Sequence, residues 1–207
     1  MSLTLVLIIV TCLISYQAFN NRSMFEQLLH SPYREAHSKE YYRFLTSGFV
    51  HGSPMHLLIN MYVLYMFGQA VEYYLLQEFG PLMGRINFLV IYLLTIIFGD
   101  LPTFIKHRNN AYFSSVGASG AISGILMVFI LFNPWAELLL FFIIPMPAIL
   151  AGILFLVYSS WASKNTNDRI DHEAHFYGAV FGCLLCLVMK PSIFAEFLQR
   201  FQAGWPF

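Results

Sequence analysis

Six apolar runs long enough, or nearly long enough, to cross a bilayer follow one another along this chain. They constrain its fold more than any other feature, because only closed backbone hydrogen bonding survives in lipid. They lie at about 2–19, 54–77, 84–104, 117–132, 135–160 and 172–189. Only 11% of the residues are charged, against about 25% in soluble domains. The expected fold class is all-α: a polytopic membrane protein with six transmembrane helices in a single domain, 1–207. The first run has no basic stretch before it and no small-residue cleavage site after it, so it reads as a membrane helix. Helix stops fall at Phe79-Gly80-Pro81, Asn133-Pro134 and Lys190-Pro191, because proline disfavours helical geometry at the residue before it. Pro145 and Pro147 lie inside the fifth run and predict a kinked helix that serves as a lateral gate. From Pro191 onward, Phe194, Phe197, Leu198, Phe201 and Trp205 suggest an interfacial amphipathic helix.

Several function classes drop out. The formal charge is zero and no basic block occurs, which argues against a nucleic-acid partner. No glycine-rich nucleotide loop is present. Cys12, Cys183 and Cys186 all lie in apolar runs and read as packing residues. His172 and His175, with Glu173 between them, lack the His-Glu-x-x-His spacing of a zinc site, so no metal is expected. The long polar connection, Asn20 to Ser53, mixes charges with aromatics and suggests an ordered interfacial loop.

The fourth run opens on Gly117-Ala118-Ser119-Gly120 and is short. Ser119 to Phe132 is 14 residues, about 21 Å of helix in a hydrocarbon core of roughly 30 Å. A helix ending at one face therefore places Ser119 about 9 Å below the other. His175 lies 15 residues before Lys190, as Ser119 lies 14 before Asn133. With both helices running the same way, the two side chains come out within about 1.5 Å of the same depth. Gly120 and Gly124, and Gly178 and Gly182, form smooth stripes that permit close helix approach. Those stripes serve packing alone, or packing that also brings serine to histidine. A buried serine beside an imidazole is the minimum kit for nucleophilic hydrolysis, with Ser119 the nucleophile and His175 the base. Asp171 and Glu173 are sequence neighbours that point elsewhere on a helix, so a dyad is expected. The Ser119 N–H, free at a helix start, together with His56 and Asn60 on one face of the second run, would serve a developing oxyanion. His51, just before Pro54, reads as structural support.

The set His56-x-x-x-Asn60, Gly117-x-Ser119-Gly120 and Ala174-His175-x-x-Gly178-x-x-x-Gly182, in that order, resembles the rhomboid family of intramembrane serine proteases. The resemblance implies a six-helix bundle whose short fourth helix starts inside the membrane. It also implies cleavage of proteins anchored by transmembrane helices, within the bilayer and without metal or other cofactor. Glu72 matches an acidic position late in the second helix. Two departures stand out. Tyr42-Arg43 replaces the family's Trp-Arg, and Ser123 replaces an aromatic that stacks on the catalytic histidine. Phe176 or Tyr177, or the Ser123 hydroxyl itself, is expected to steady His175 instead. The resemblance implies a cytoplasmic N-terminus, whereas eight of the eleven Lys and Arg lie in the first, third and fifth connections and favour the opposite orientation. The family topology is preferred, and with it a bacterial inner membrane. The alternative is a non-catalytic rhomboid-like protein that escorts transmembrane clients. Oligomeric state is left open.

Overall fold

The computed structural model describes residues 2–140, 143–166 and 170–204; Trp205, named above in the expected interfacial helix, lies outside them. The chain is mostly helical. Helix α1 (Leu3–Asn20) starts on a Ser2 cap and turns one stripe inward, Thr4, Leu7, Thr11, Ser15 and Ala18. Those intervals of three and four residues are the helical period. Its orphan N–H groups are satisfied from a distance: Leu3 and Thr4 donate their backbone N–H to Glu72 at 2.8 and 2.9 Å, and the Thr4 hydroxyl adds a third bond at 2.8 Å. A carboxylate there also complements the positive end of the helix.

The polar connection is ordered by short helices, α2 (Arg22–Leu28), α3 (Pro32–Ser38) and α4 (Arg43–Thr46), and a 3-10 turn at Ser47–Phe49. Arg43 fastens them. Buried, it donates to the carbonyls of Glu26 and Leu29 at 2.9 and 3.0 Å and pairs with Glu40. Bonding to Arg43 holds the Glu40 carboxyl below its usual range.

Helix α5 (Pro54–Val63) passes through a π turn, Leu64–Gly68, into α6 (Gln69–His107). The long helix breaks at Gly80, where φ is 78°. That left-handed conformation suits glycine, and Pro81 starts the second arm. Helix α7 (Ser119–Phe132) is apolar and buried on most of its sides, among α5, α6 and later helices. A helix that is hydrophobic all round belongs inside the protein.

The fifth run differs from expectation. Residues expected to open a helix at 135 instead form an antiparallel hairpin, β1 (Glu137–Leu140) paired with β2 (Ile144–Pro147) in the register Leu138 to Met146 and Leu139 to Pro145. Helix α8 (Ala148–Asn165) begins only after the second proline. Proline lacks an N–H and disfavours helix before it, and two prolines one residue apart, Pro145 and Pro147, weigh against helix here twice over. A two-stranded ribbon, all edge, tolerates them. The prolines are therefore no helix kink, and the fold is not purely α.

Helix α9 (His172–Met189) has the limits read from the sequence. The final helix, α10 (Ile193–Ala203), docks on the protein: Trp135 donates to the Phe201 carbonyl at 2.9 Å, and Lys190 bridges Glu78 and Glu196. Among the described residues, three helical stretches are long and apolar enough to cross a membrane: Leu3–Asn20, Pro54–His107 and His172–Met189.

Candidate active site

Ser119 is the first residue of α7, and His175 lies in the first turn of α9. The two helices meet backbone to backbone. A Cβ on Gly178 would lie 2.3 Å from the Gly120 carbonyl oxygen, and one on Gly182 would lie 2.4 Å from the Gly124 Cα. Gly99 of α6 adds a third smooth surface, its Cβ position 3.3 Å from the Ala174 carbonyl. At that separation the His175 Nε2 comes to 2.6 Å from the Ser119 Oγ. An imidazole nitrogen at this distance can take the hydroxyl proton as oxygen attacks a carbonyl carbon.

The approach to Ser119 is tightly shaped. Gly117 has φ of 122°, which an L side chain rarely adopts, and a Cβ there would meet the His56 ring at 2.8 Å. His56 thus sits against the turn into α7. Ser53 caps α5 by accepting the His56 N–H at 3.1 Å, and Asn60, one turn on, donates to the His56 carbonyl at 3.1 Å. His56, Asn60, Gly117, Ser119 and His175 line one cavity of about 1000 Å³.

His51 is fully buried beneath this turn. The Ser15 hydroxyl donates to the Phe49 carbonyl at 3.0 Å, so it accepts from the His51 Nδ1 at 3.0 Å. That leaves Nε2 bare to accept the Ala118 N–H at 3.4 Å. Burial first, then the neighbouring His56, pushes the His51 pKa well below its ordinary value. A neutral His51 braces the residue before Ser119.

The support of His175 departs from expectation. Ser123 does not reach toward it; its hydroxyl donates to the Ser119 carbonyl at 2.7 Å, the back-bond a serine makes one turn along a helix. Phe176 and Tyr177 pack edge to face on each other. The ring stacked on His175 belongs to Phe155 of α8, at 6.1 Å between centroids, and His172 stands perpendicular at 5.9 Å. Asp171 also contributes more than adjacency suggested. Its carboxylate caps α9 by accepting the Ala174 N–H at 2.9 Å, and accepts from the Thr103 hydroxyl at 3.0 Å. Together with the Lys106–Glu173 bridge at 2.7 Å, this ties the head of α9 to α6. Ser123→Ala is expected to change turnover by less than about threefold, since one net hydrogen bond of about 1 kcal/mol is lost away from the hydroxyl. Phe155→Ala is expected to lower kcat by about tenfold with KM little changed, a stacking energy near the top of its range. Steady-state kinetics on one transmembrane substrate measure both.

The sequence matches the Rhomboid domain family over residues 38–192, most of the chain. The chain belongs to the rhomboid family. Among its rhomboid relatives are RHOMBOID-like protein 12, mitochondrial, of Arabidopsis thaliana, 28% identical over 83% of this chain and 53% of that protein. Rhomboid protein 1, mitochondrial, of Saccharomyces cerevisiae is 30% identical over 76% of this chain and 44% of its own length. Presenilin-associated rhomboid-like protein, mitochondrial, of Homo sapiens is 31% identical over 67% and 35%. The chain thus spans about half or less of the length of these relatives. The apolar helices make this rhomboid a multi-pass membrane protein. Relatives named for mitochondria give no support to the bacterial inner membrane expected above.

Proposed function

We propose that this rhomboid is an intramembrane serine endopeptidase that cleaves membrane-anchored proteins in or beside their transmembrane helices. The observation that carries the reading is the 2.6 Å contact between His175 Nε2 and Ser119 Oγ, on a cavity that His56 and Asn60 also line. Ser119 is the nucleophile. His175 accepts its proton and returns it to the leaving amine. The His56 and Asn60 side chains and the Ser119 N–H face the developing oxyanion, helped by the positive end of α7. In this reading α5, the π turn and α6 as far as Gly80 count as one span and the rest of α6 as another; with α1, α7, α8 and α9 they would form a six-helix bundle in a single domain, 1–207, whose α7, at 14 residues, falls short of a full crossing. A client-escorting protein would keep such a bundle but has no use for a base beside a hydroxyl.

The test is cleavage of a fluorogenic transmembrane substrate in liposomes, with and without chelator. Wild type is expected to cleave in both conditions, and Ser119→Ala and His175→Ala in neither. A folded wild type that cleaves no substrate across a varied set would hand the lead to client escort.

A further inference from the structure

We propose that His172 is a positioning residue for the Ser119–His175 pair: its buried ring, seated by Tyr158 of α8, holds the His175 imidazole at the angle that points Nε2 to the hydroxyl. The inference rests on the reading of that pair as nucleophile and base. His172 is the first residue of α9 and only 4% exposed. Residues three apart on a helix share a face, so His172 and His175 stand one above the other. Phe155 and Tyr158 repeat that interval on α8. The two pairs of rings face each other where α8 meets α9.

The contacts run from ring to ring. The His172 ring stands perpendicular to that of His175, at 87° and 5.9 Å between centroids. It stands perpendicular to the Tyr158 ring as well, at 88° and 5.6 Å. Both are edge-to-face arrangements within the favourable range for aromatic pairs. Phe155 meets His175 differently, stacked on it at 6.1 Å. The imidazole is thus held on two sides, by a stacked ring from α8 and by a perpendicular one from its own helix. Ser123, one turn after Ser119, supplies no ring, and its hydroxyl is turned to the Ser119 carbonyl.

The backbone under His172 is fixed independently of the rings. Asp171 before it accepts from the Thr103 hydroxyl of α6 at 3.0 Å, and Glu173 after it pairs with Lys106 at 2.7 Å. A ring on so anchored a backbone acts as a stop for the ring one turn on. The need for such a stop is chemical. The base takes the hydroxyl proton only within hydrogen-bond reach, and a misplacement of about 1 Å can cost about 100-fold in rate. The 2.6 Å contact lasts only while the imidazole keeps its rotamer.

The experiment times the labelling of Ser119 by a fluorophosphonate on the full chain in nanodiscs, with mass spectrometry reading extent and rate separately. The extent counts folded sites, whereas the rate constant reads the alignment of the base. His172→Ala is expected to label about tenfold more slowly at wild-type extent, and to cleave a transmembrane substrate with kcat lowered about as much and KM unchanged. His172→Phe keeps a ring in place and is expected to stay within about twofold of wild type. Tyr158→Ala is expected to slow labelling about threefold and Tyr158→Phe not at all. Because Tyr158 acts through His172, the double alanine variant should label no more slowly than His172→Ala. A wild-type rate constant in His172→Ala, with only extent or unfolding temperature reduced, overturns the proposal. So does a folded His172→Phe that labels as slowly as His172→Ala. If His172→Ala fails to fold, Tyr158→Ala decides, and an unchanged rate constant there overturns the proposal. A labelled wild type with unaffected variants fails the proposal alone; a wild type that takes no label and cleaves nothing fails the reading of the pair and the proposal with it.

Discussion

Ser119→Ala is expected to lower cleavage of a transmembrane substrate by at least about 10⁴-fold while the protein unfolds at the wild-type temperature. The loss corresponds to about 5.5 kcal/mol of transition-state stabilisation. It follows from the geometry, because the hydroxyl removed is the one 2.6 Å from the His175 imidazole. His175→Ala is expected to cost about as much, because a serine hydroxyl without a base is a poor nucleophile at neutral pH. The double variant should be no worse than either single one, since the two groups act as a unit. Stability should hold because Ser119 opens its helix without capping it; the turn is braced instead by His51 and Gly117. Rates measured in liposomes beside thermal unfolding separate the two effects. If Ser119→Ala kept a tenth of wild-type activity, the nucleophile would lie elsewhere.

Gly178→Ala is expected to be the most damaging change outside the reacting pair. Its Cβ would stand 2.3 Å from the Gly120 carbonyl oxygen and 3.0 Å from the Gly120 Cα. These are backbone atoms, so no rotamer can yield, and α7 and α9 must move apart or the protein must tolerate the overlap. Overpacking of this kind costs about 3 kcal/mol or more. A shift of about 1 Å also carries the hydroxyl out of reach of the imidazole, which alone can cost about 100-fold in rate. Activity and unfolding temperature should therefore fall together, in contrast to Ser119→Ala. Wild-type behaviour in both would show that the two helices need not touch.

Much of this arrangement is legible in the sequence, because the membrane makes it so. Prolines after Asn133 and Lys190 end α7 and α9, and counting back from those stops puts Ser119 and His175 at one depth. Gly120, Gly124, Gly178 and Gly182 carry the remaining information, that the two helices can touch. The hairpin of β1 and β2 is not legible from hydropathy. Its apolar residues satisfy a helix and a strand equally, and only Pro145 and Pro147 hint at the outcome. Phe155 is not legible either, since hydropathy does not say which residue of α8 faces His175. Asp171 reads in the sequence as a neighbour facing away from His175, yet it acts through the cap of α9 and needs no contact with the ring. His30, whose N–H and carbonyl bridge Ser115 and whose ring meets Glu35, has no local mark at all, and only folding brings it to Ser115.

The central claim is that His175 activates Ser119, and covalent capture tests it most directly. A fluorophosphonate probe is added to the folded protein in nanodiscs at neutral pH, and the modified residue is located by mass spectrometry. The account predicts a single adduct on Ser119 in wild type, formed at least about 100-fold more slowly in His175→Ala. An unmodified Ser119 in wild type, or equal labelling in His175→Ala, would contradict it.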